Sequence, residues 1–474
     1  MSKQQQPDEQ VIELYQSAKR IHPKRAKGRF ANWRIIAIIV TQIFFYVVPW
    51  LNWNGRQAML WHIAERKFYI FGIVLWPQDF IFLAGLLMIC AFGLFWWTTI
   101  AGRLWCGYAC PQTVYTEIMT WIDHFFEGDR NKRLKLDKEP WGFHKIRIKA
   151  PKYLVIFLVC FWTGFTFLGW FTPIREALSD LISFNLVGGE WFTLAFYGFM
   201  TYLFGHMMRE QVCKYMCPYA RFQSAMFDRD TLVISYDEAR GEPRGKKKQA
   251  EGAASPKGDC IDCTLCVQVC PVGIDIREGL QYECIGCAAC IDACDEVMDK
   301  IELPRGLIRY TTEAALEKEY PESQIVKRLW RPRVSGYGAI LFGIMIALVV
   351  GLFMRPTVRV DIIKDRGVMV RENKQGWLEN AYMLHIINTK DTPQYLVAEV
   401  EGFPDIAITG LPEPLLLPAG QTIEKSVQVA TIPEYAGKGS HPIKFHFRVY
   451  GAADATPDSK PLETLTEKSN FIGE

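Results

Sequence analysis

Two stretches of this chain repeat one cysteine pattern: CIDCTLCVQVCP at residues 260–271 and CIGCAACIDACD at residues 284–295. Each reads C-x2-C-x2-C-x3-C. That spacing lets one tight loop aim three thiolates at three irons of a [4Fe–4S] cubane, while a distant fourth cysteine closes the cage. In two-cluster chains of this kind the fourth cysteine of each run ligates the cluster of the other run. Cys260, Cys263, Cys266 and Cys294 are therefore assigned to one [4Fe–4S] cluster, and Cys284, Cys287, Cys290 and Cys270 to a second. Paired C-x2-C motifs also suit tetrahedral zinc. Two identical four-cysteine runs, one ending in Cys-Pro, favour iron–sulfur over a pair of zinc knuckles. Cys294 precedes Asp295 rather than a proline, a departure that removes no ligand. A chain with two such clusters moves electrons singly.

At 474 residues the chain has room for three or more structural units. Half of it is hydrophobic and yet 22% is charged, so apolar spans alternate with polar blocks. A net charge of +3, with no overwhelmingly basic face or tail, argues for no nucleic-acid partner. Of the 14 cysteines, eight lie in the two runs, four in two further motifs, and Cys90 and Cys160 inside apolar stretches. None follows Cys294, so the carboxy-terminal part needs no disulfide.

Five stretches are long and apolar enough to cross a bilayer, at about 20 residues of helix each: 33–51, 80–100, 153–171, 191–208 and 337–354. The first follows a basic segment without a small-residue cleavage site and reads as an uncleaved anchor. Lys and Arg number eight up to Arg34 and ten in residues 101–152, but three in 52–79 and one in 172–190. Under the positive-inside rule, the amino-terminal tail, the 101–152 connection and the cysteine runs face the cytoplasm. A fifth crossing then places residues 355–474 outside. The aromatic-rich segment 52–79 is expected at the outer interface. His62 in it is a candidate ligand or quinone contact, though such a histidine is more often an interfacial polar tip.

After the second expected span the chain reads RLWCGYACPQ, and after the fourth EQVCKYMCPY. Both contain C-x3-C-P: Cys106, Cys110 and Pro111, then Cys213, Cys217 and Pro218. This resembles a duplicated helical-hairpin unit bringing four cysteines to one depth. Cysteines at i and i+4 share a helix face, and the proline ends or starts a helix beside them. Thiolates are soft ligands for Cu(I), zinc and iron–sulfur centres. A single such pair would read as small residues packing between helices; two equivalent copies favour metal or redox work. His206, Met207, Met208 and Met216 lie near, each more often a packing residue than a ligand.

Residues 233–257 and 301–336 read as linkers, the first charged and Gly/Pro-rich with a KKK run at 246–248 that is solvated or touches lipid headgroups. Beyond residue 354, short alternating runs (TVRVDI, AYMLHII, QYLVAEV, DIAITG, KSVQVA, IKFHFRVY) are separated by turn residues. They predict an all-β sandwich of immunoglobulin-like architecture with a partner-binding role.

The layout resembles the cytochrome c oxidase accessory protein family, polyferredoxin-like membrane proteins of cbb3-type oxidase assembly. The resemblance rests on CGYACP and CKYMCP, the double cysteine runs and the span leading to a terminal sandwich. The cysteine motifs alone are shared with membrane ferredoxins of nitrate and nitrous oxide respiration; the sandwich favours the oxidase group. The fold expected is a bundle of five transmembrane helices with an inserted bacterial-type two-cluster ferredoxin domain and a C-terminal all-β sandwich. Its parts are a cytoplasmic tail 1–32, a four-helix membrane domain 33–232, a linker 233–257, the ferredoxin domain 258–300, a linker 301–336, a fifth helix 337–354 and a periplasmic domain 355–474.

The resemblance implies a bacterial inner-membrane cupric reductase that converts Cu(II) to Cu(I) for the oxidase's copper centre. Cys106, Cys110, Cys213 and Cys217 would be its copper-handling thiolates. Implied partners are the membrane, copper ions, a cbb3-type oxidase subunit or copper transporter or chaperone, and an unnamed electron donor; a homodimer is open to it. Competing readings are a quinol-oxidising polyferredoxin, a non-enzymatic assembly scaffold, and a further iron–sulfur cluster on the four membrane cysteines.

Overall fold

A backbone in hydrocarbon must satisfy its own hydrogen bonds, so long apolar runs become helices. The computed structural model describes residues 20–245 and 258–473, apart from 366, 368, 369, 374, 391 and 452–459. Among the described residues four helices are long and apolar enough to cross a membrane: Arg29–Trp50, Pro77–Ala101, Phe143–Leu168 and Glu322–Phe353. The sequence reading expected five. The missing one, 191–208, is α-helical only over Gly188–Tyr202, 15 residues, and then winds as a π-helical turn over Leu203–Met208. Fifteen residues rise only about 22 Å, short of a hydrocarbon core about 30 Å thick.

By its internal contacts the chain falls into two units. One comprises residues up to Phe44, Phe92–Phe165 and Trp191–Ala339. It contains the cysteine runs, and it corrects the expectation of linkers on either side of them. Strand Val233–Tyr236 pairs antiparallel with Ile308–Thr311, from Val233 against Thr311 to Tyr236 against Ile308. The alternation explains this: Ile234, Tyr236 and Ile308 are buried in one core with Cys260, Cys266, Ile291 and Met298. The ribbon therefore closes the ferredoxin domain. The KKK run at 246–248 lies outside the described residues.

The ferredoxin domain is tied to the first long helix by Asp292, inside the second cysteine run. Its carboxylate accepts from the backbone N–H groups of Phe30 and Ala31 at 3.2 and 2.7 Å. Those are two of the donors a helix start leaves unpaired.

The second unit comprises Phe45–Ala91, Thr166–Glu190 and Ile340–Glu474. Its C-terminal part is the expected antiparallel sandwich. One sheet runs Ala407–Thr409, Thr422–Thr431, Leu378–Asn388, Val358–Lys364, with Arg371–Glu372 also on Leu378–Asn388. The other runs Leu415–Leu417, Gln394–Glu401, Gly439–Tyr450, Glu463–Gly473. Leu384, Leu396, Val427, Phe445, Phe447 and Phe471 fill the space between them. All six alternating runs are strands. Segment 52–79 contains a small sheet of Met59–His62, Lys67–Ile70 and Ile73–Leu75. His62 there accepts from the Glu65 backbone N–H at 3.1 Å, the local polar role. Asp79, buried, pairs with Arg359 at 2.7 Å and with Arg355, fastening the sandwich to this segment.

Candidate redox site

Each cysteine run is a tight loop with two left-handed residues, Asp262 and Thr264 in the first and Gly286 and Ala288 in the second, the later of which leads into a helix. Thr264 (φ +57°) precedes Leu265–Gln268, and Ala288 (φ +59°) precedes Ala289–Lys300. The positions are equivalent, each following the second cysteine of its run. The loops surround two small enclosed cavities. Cys260, Cys263, Cys266 and Cys294 line the first, among Ile261, Leu265, Met298 and Leu307. Cys270, Cys284, Cys287 and Cys290 line the second, with Cys266 at its edge and Val272, Ile274 and Ile285 around them. Each quartet from the sequence is thus brought together, with the fourth cysteine crossing from the other run.

Burial pushes the thiols of Cys266 and Cys270 up to about 11 and those of Cys284 and Cys294 to about 12. Cys290 is raised further by burial and by Cys287 and Cys284. Thiols this reluctant to ionise become thiolates when a cationic metal group sits among them. The donor sets fit iron–sulfur clusters: four sulfurs around a space, in an apolar wall.

The two C-x3-C-P motifs are built alike. Cys106 lies in the short helix Leu104–Tyr108 and Cys213 in the π-helical turn Val212–Met216. Cys110 and Cys217 are the residues just before Pro111–Glu127 and Pro218–Met226, each with extended backbone. The expectation that both cysteines of a pair share a helix face is corrected. Proline drives the residue before it out of the α region, so the second cysteine of each pair stands at a break.

The four thiols nonetheless lie near one another. Cys213 is in electrostatic reach of Cys110, Cys106 and Cys217, and Cys106 of Cys110 and Cys217. Burial raises Cys106 to about 11 and Cys213 to about 12, and raises Cys110 as well. His206 does not join them: it is buried against the Arg209 side chain and stacks on Tyr202. Met207 and Met216 are exposed.

Several residues that the sequence reading missed hold this arrangement. Gln112 donates to the carbonyls of Phe204 and Arg209, both at 2.9 Å, as a second donor beside the backbone N–H groups of Arg209 and Val212. Gln223, buried, donates to the Cys106 sulfur at 3.5 Å. Arg103 donates to the Ala220 carbonyl at 2.5 Å and the Cys284 carbonyl at 3.3 Å, joining both motifs to the second cage. A glutamine after Cys-Pro and an arginine ahead of the first motif were the only signals, and neither has a diagnostic spacing.

Between motif and cage there is no gap. A Cβ on Gly107 would stand 2.8 Å from Cys287 Cα and 2.9 Å from its nitrogen, so only glycine fits. On the other side a Cβ on Gly286 (φ +67°) would stand 3.1 Å from the Arg103 carbonyl. Cys106 and Cys213 pack in the same apolar cluster as Cys270, Cys284, Cys287 and Ile285.

Comparison with known proteins fits this geometry. Residues 208–313 match the 4Fe-4S dicluster domain, residues 83–133 a 4Fe-4S binding domain, and residues 348–474 the IG-like fold at the C-terminus of FixG. Protein RdxB of Cereibacter sphaeroides is 39% identical over 445 residues, covering 92% of each chain. The chain belongs to the cytochrome c oxidase accessory protein family. Nitrogen fixation protein FixG of Rhizobium meliloti is 38% identical over 423 residues, covering 82% of this chain and 81% of FixG. The crystal structure of a FixG-related protein from Vibrio parahaemolyticus overlays 25% of this chain and 99% of its own at 19% identity, with a TM-score of 0.21. Membership makes this a membrane-associated iron–sulfur redox protein. Cys106 and Cys110 fall within a 4Fe-4S match, and no comparison speaks for copper.

Proposed function

We propose that this protein carries single electrons to the Cys106, Cys110, Cys213 and Cys217 quartet, where Cu(II) is reduced to Cu(I) for a cbb3-type oxidase. Cys260, Cys263, Cys266 and Cys294 would hold one [4Fe–4S] cluster, and Cys270, Cys284, Cys287 and Cys290 the other. Bound there, the clusters supply one electron at a time. The observation that carries the reading is the Gly107–Cys287 contact: the quartet's loop lies directly on the loop of the second cage.

The chain's own residues do the rest. Gln223 orients the Cys106 sulfur and Arg103 fixes the spacing to Cys284. The soft thiol set favours Cu(I) over Cu(II), which raises the potential of a copper ion held by it. The electron balance is one for one: each Cu(II) gains the electron that one reduced cluster loses, with no proton or hydride transferred. Reduced copper would pass to an oxidase subunit or a copper chaperone.

For orientation, residues 101–152 hold ten Lys and Arg and 52–79 hold three. The ferredoxin loops pack on Gly107 in the basic segment, which supports a cytoplasmic ferredoxin domain. The sandwich is paired through Arg355 and Arg359 to Asp79, at the end of the poorly basic segment, which supports the opposite side. On this reading the α-helix Gly188–Tyr202, extended by the π-helical turn Leu203–Met208, carries the chain across.

The test is anaerobic mixing of dithionite-reduced protein with Cu(II) and a Cu(I)-specific chelator, following cluster bleaching in the visible. Stoichiometric Cu(I) with cluster reoxidation is expected; reoxidation without Cu(I) capture would sink the proposal. A second reading, a third cluster at the quartet, draws on the 4Fe-4S match at 83–133. Iron analysis separates them: two [4Fe–4S] clusters account for eight irons, and a third would make twelve.

A further inference from the structure

At the head of the helix Arg29–Val47 lies a cavity of about 380 Å³ that the redox chemistry does not use. Its wall is strongly cationic. Lys24, Arg25, Arg34 and Arg133 line it, and Glu117 is its only carboxylate. Glu117 is already engaged, by Arg34 at 3.4 Å and by the Trp121 indole N–H at 3.1 Å.

Arg133 is 1% exposed, yet it spends one nitrogen, Nη2, on the Pro23 carbonyl at 2.7 Å. Among the described residues its Nε and Nη1 have no hydrogen-bond partner, nor has Nε of Arg34. Buried guanidinium donors left unmade cost free energy until an acceptor enters. The planar fork of arginine matches the oxygens of phosphate.

The rest of the wall is apolar. Ile35, Trp121 and Phe125 line it, and Phe125 is 81% exposed. Along the same helix Ile39, Val40 and Ile43 also lie open. This helix is one of the four able to span a membrane. Polar head and apolar track therefore meet at one place.

We infer that this cavity binds a phosphate-type anion, and that its source is the headgroup of an anionic phospholipid. A free phosphate would use the arginines but not the apolar track. A neutral redox carrier such as a quinone would fit the aromatics but would bring no anionic acceptor to Nε and Nη1 of Arg133 and Nε of Arg34. Basic pockets beside membrane helices are a recurrent lipid-headgroup geometry. Val269, Pro271 and Ala289 of the ferredoxin loops form part of the wall, so the bound lipid also cements that domain to the helix.

The experiment uses the full chain with its clusters, in nanodiscs of phosphatidylcholine alone, with added phosphatidylglycerol, or with inorganic phosphate in the buffer. The midpoint of thermal unfolding should rise with phosphatidylglycerol only, and native mass spectrometry should show retained phosphatidylglycerol. Arg133→Gln should abolish that rise. Because this change also removes the Pro23 bond, Lys24→Gln with Arg25→Gln serves as the second variant. It spares the backbone bond from Lys24 N–H to the Gln268 carbonyl at 2.8 Å and should still lose much of the rise. An undiminished rise in both variants, or an equal midpoint in phosphatidylcholine alone, overturns the site. An equal rise with inorganic phosphate overturns the lipid assignment and leaves a soluble anion.

Discussion

Lys152 places a cationic nitrogen, 1% exposed, at 2.6 Å from Glu127 and 3.4 Å from Asp123, and Arg209 meets Asp123 at 2.6 Å. Removing one member of such a set leaves buried charge uncompensated, at a cost of about 3–5 kcal/mol. Lys152→Met should therefore lower the thermal midpoint far more than its hydrophobicity would imply, read by circular dichroism of the purified protein. Burial pushes the Asp123 carboxyl up, but Arg209 and Lys152 outweigh that and hold it at about 2. Its folded value lies below the unfolded value of about 3.9, so its contribution is present above pH 4 and lost as pH falls towards 2, about 2–3 kcal/mol in all. Asp123→Asn should flatten the acid limb of the unfolding curve in that window. An unchanged limb would mean the carboxylate is not ion-paired in solution. Gly107 acts on the same scale. An alanine Cβ there meets the Cys287 backbone, which cannot swing aside, so Gly107→Ala should perturb the paramagnetic signal of the second cage and slow copper reduction while the first cage is untouched.

Among elements, the duplicated C-x3-C-P motif carries the clearest expectation. Cys106→Ser with Cys213→Ser changes volume little. It should keep the two cage clusters, counted as iron and sulfide, and lose Cu(II) reduction. Unchanged reduction would return these cysteines to packing. Pro111→Ala frees Cys110 to rejoin a helix and should give a partial defect.

What could be read in advance at this scale divides along physical lines. Covalent spacing was legible: the two cage quartets follow from C-x2-C-x2-C-x3-C, and the sandwich strands from alternation. Strand Glu463–Gly473 was not, because it is an edge strand with mostly polar residues and Phe471 its one buried large side chain. The π-helical turns 203–208 and 212–216 were not, because an apolar run has the same pattern whether it closes α or π hydrogen bonds. The Val233–Tyr236 ribbon strand looked like linker because its four residues gain a buried face only when Ile308–Thr311 arrives. Asp292, to which the cysteine spacing assigns no role, caps a helix. Asp292→Ala should cost about 1–2 kcal/mol through the helix start it satisfies, seen as easier detachment of the ferredoxin domain by limited proteolysis.

For the whole molecule, the testable statement is its placement across the bilayer. A reporter active only outside the cytoplasm should be active when fused at Glu474 and silent when inserted near Gly258. The opposite pattern would put the cages in the oxidising compartment and remove the argument for thiolate ligands there. The crossing of Cys270 and Cys294 between the two cavities bears on how the chain is made. Neither pocket has all its sulfurs until the ribosome has passed the second run, for the earlier run borrows its last donor from the later one. Metallocentre insertion is thereby deferred to a late stage of biosynthesis, after the first three long helices have emerged. A truncated product ending before residue 284 would leave the factory with both sockets incomplete, and quality control could distinguish it from the finished protein by its missing colour.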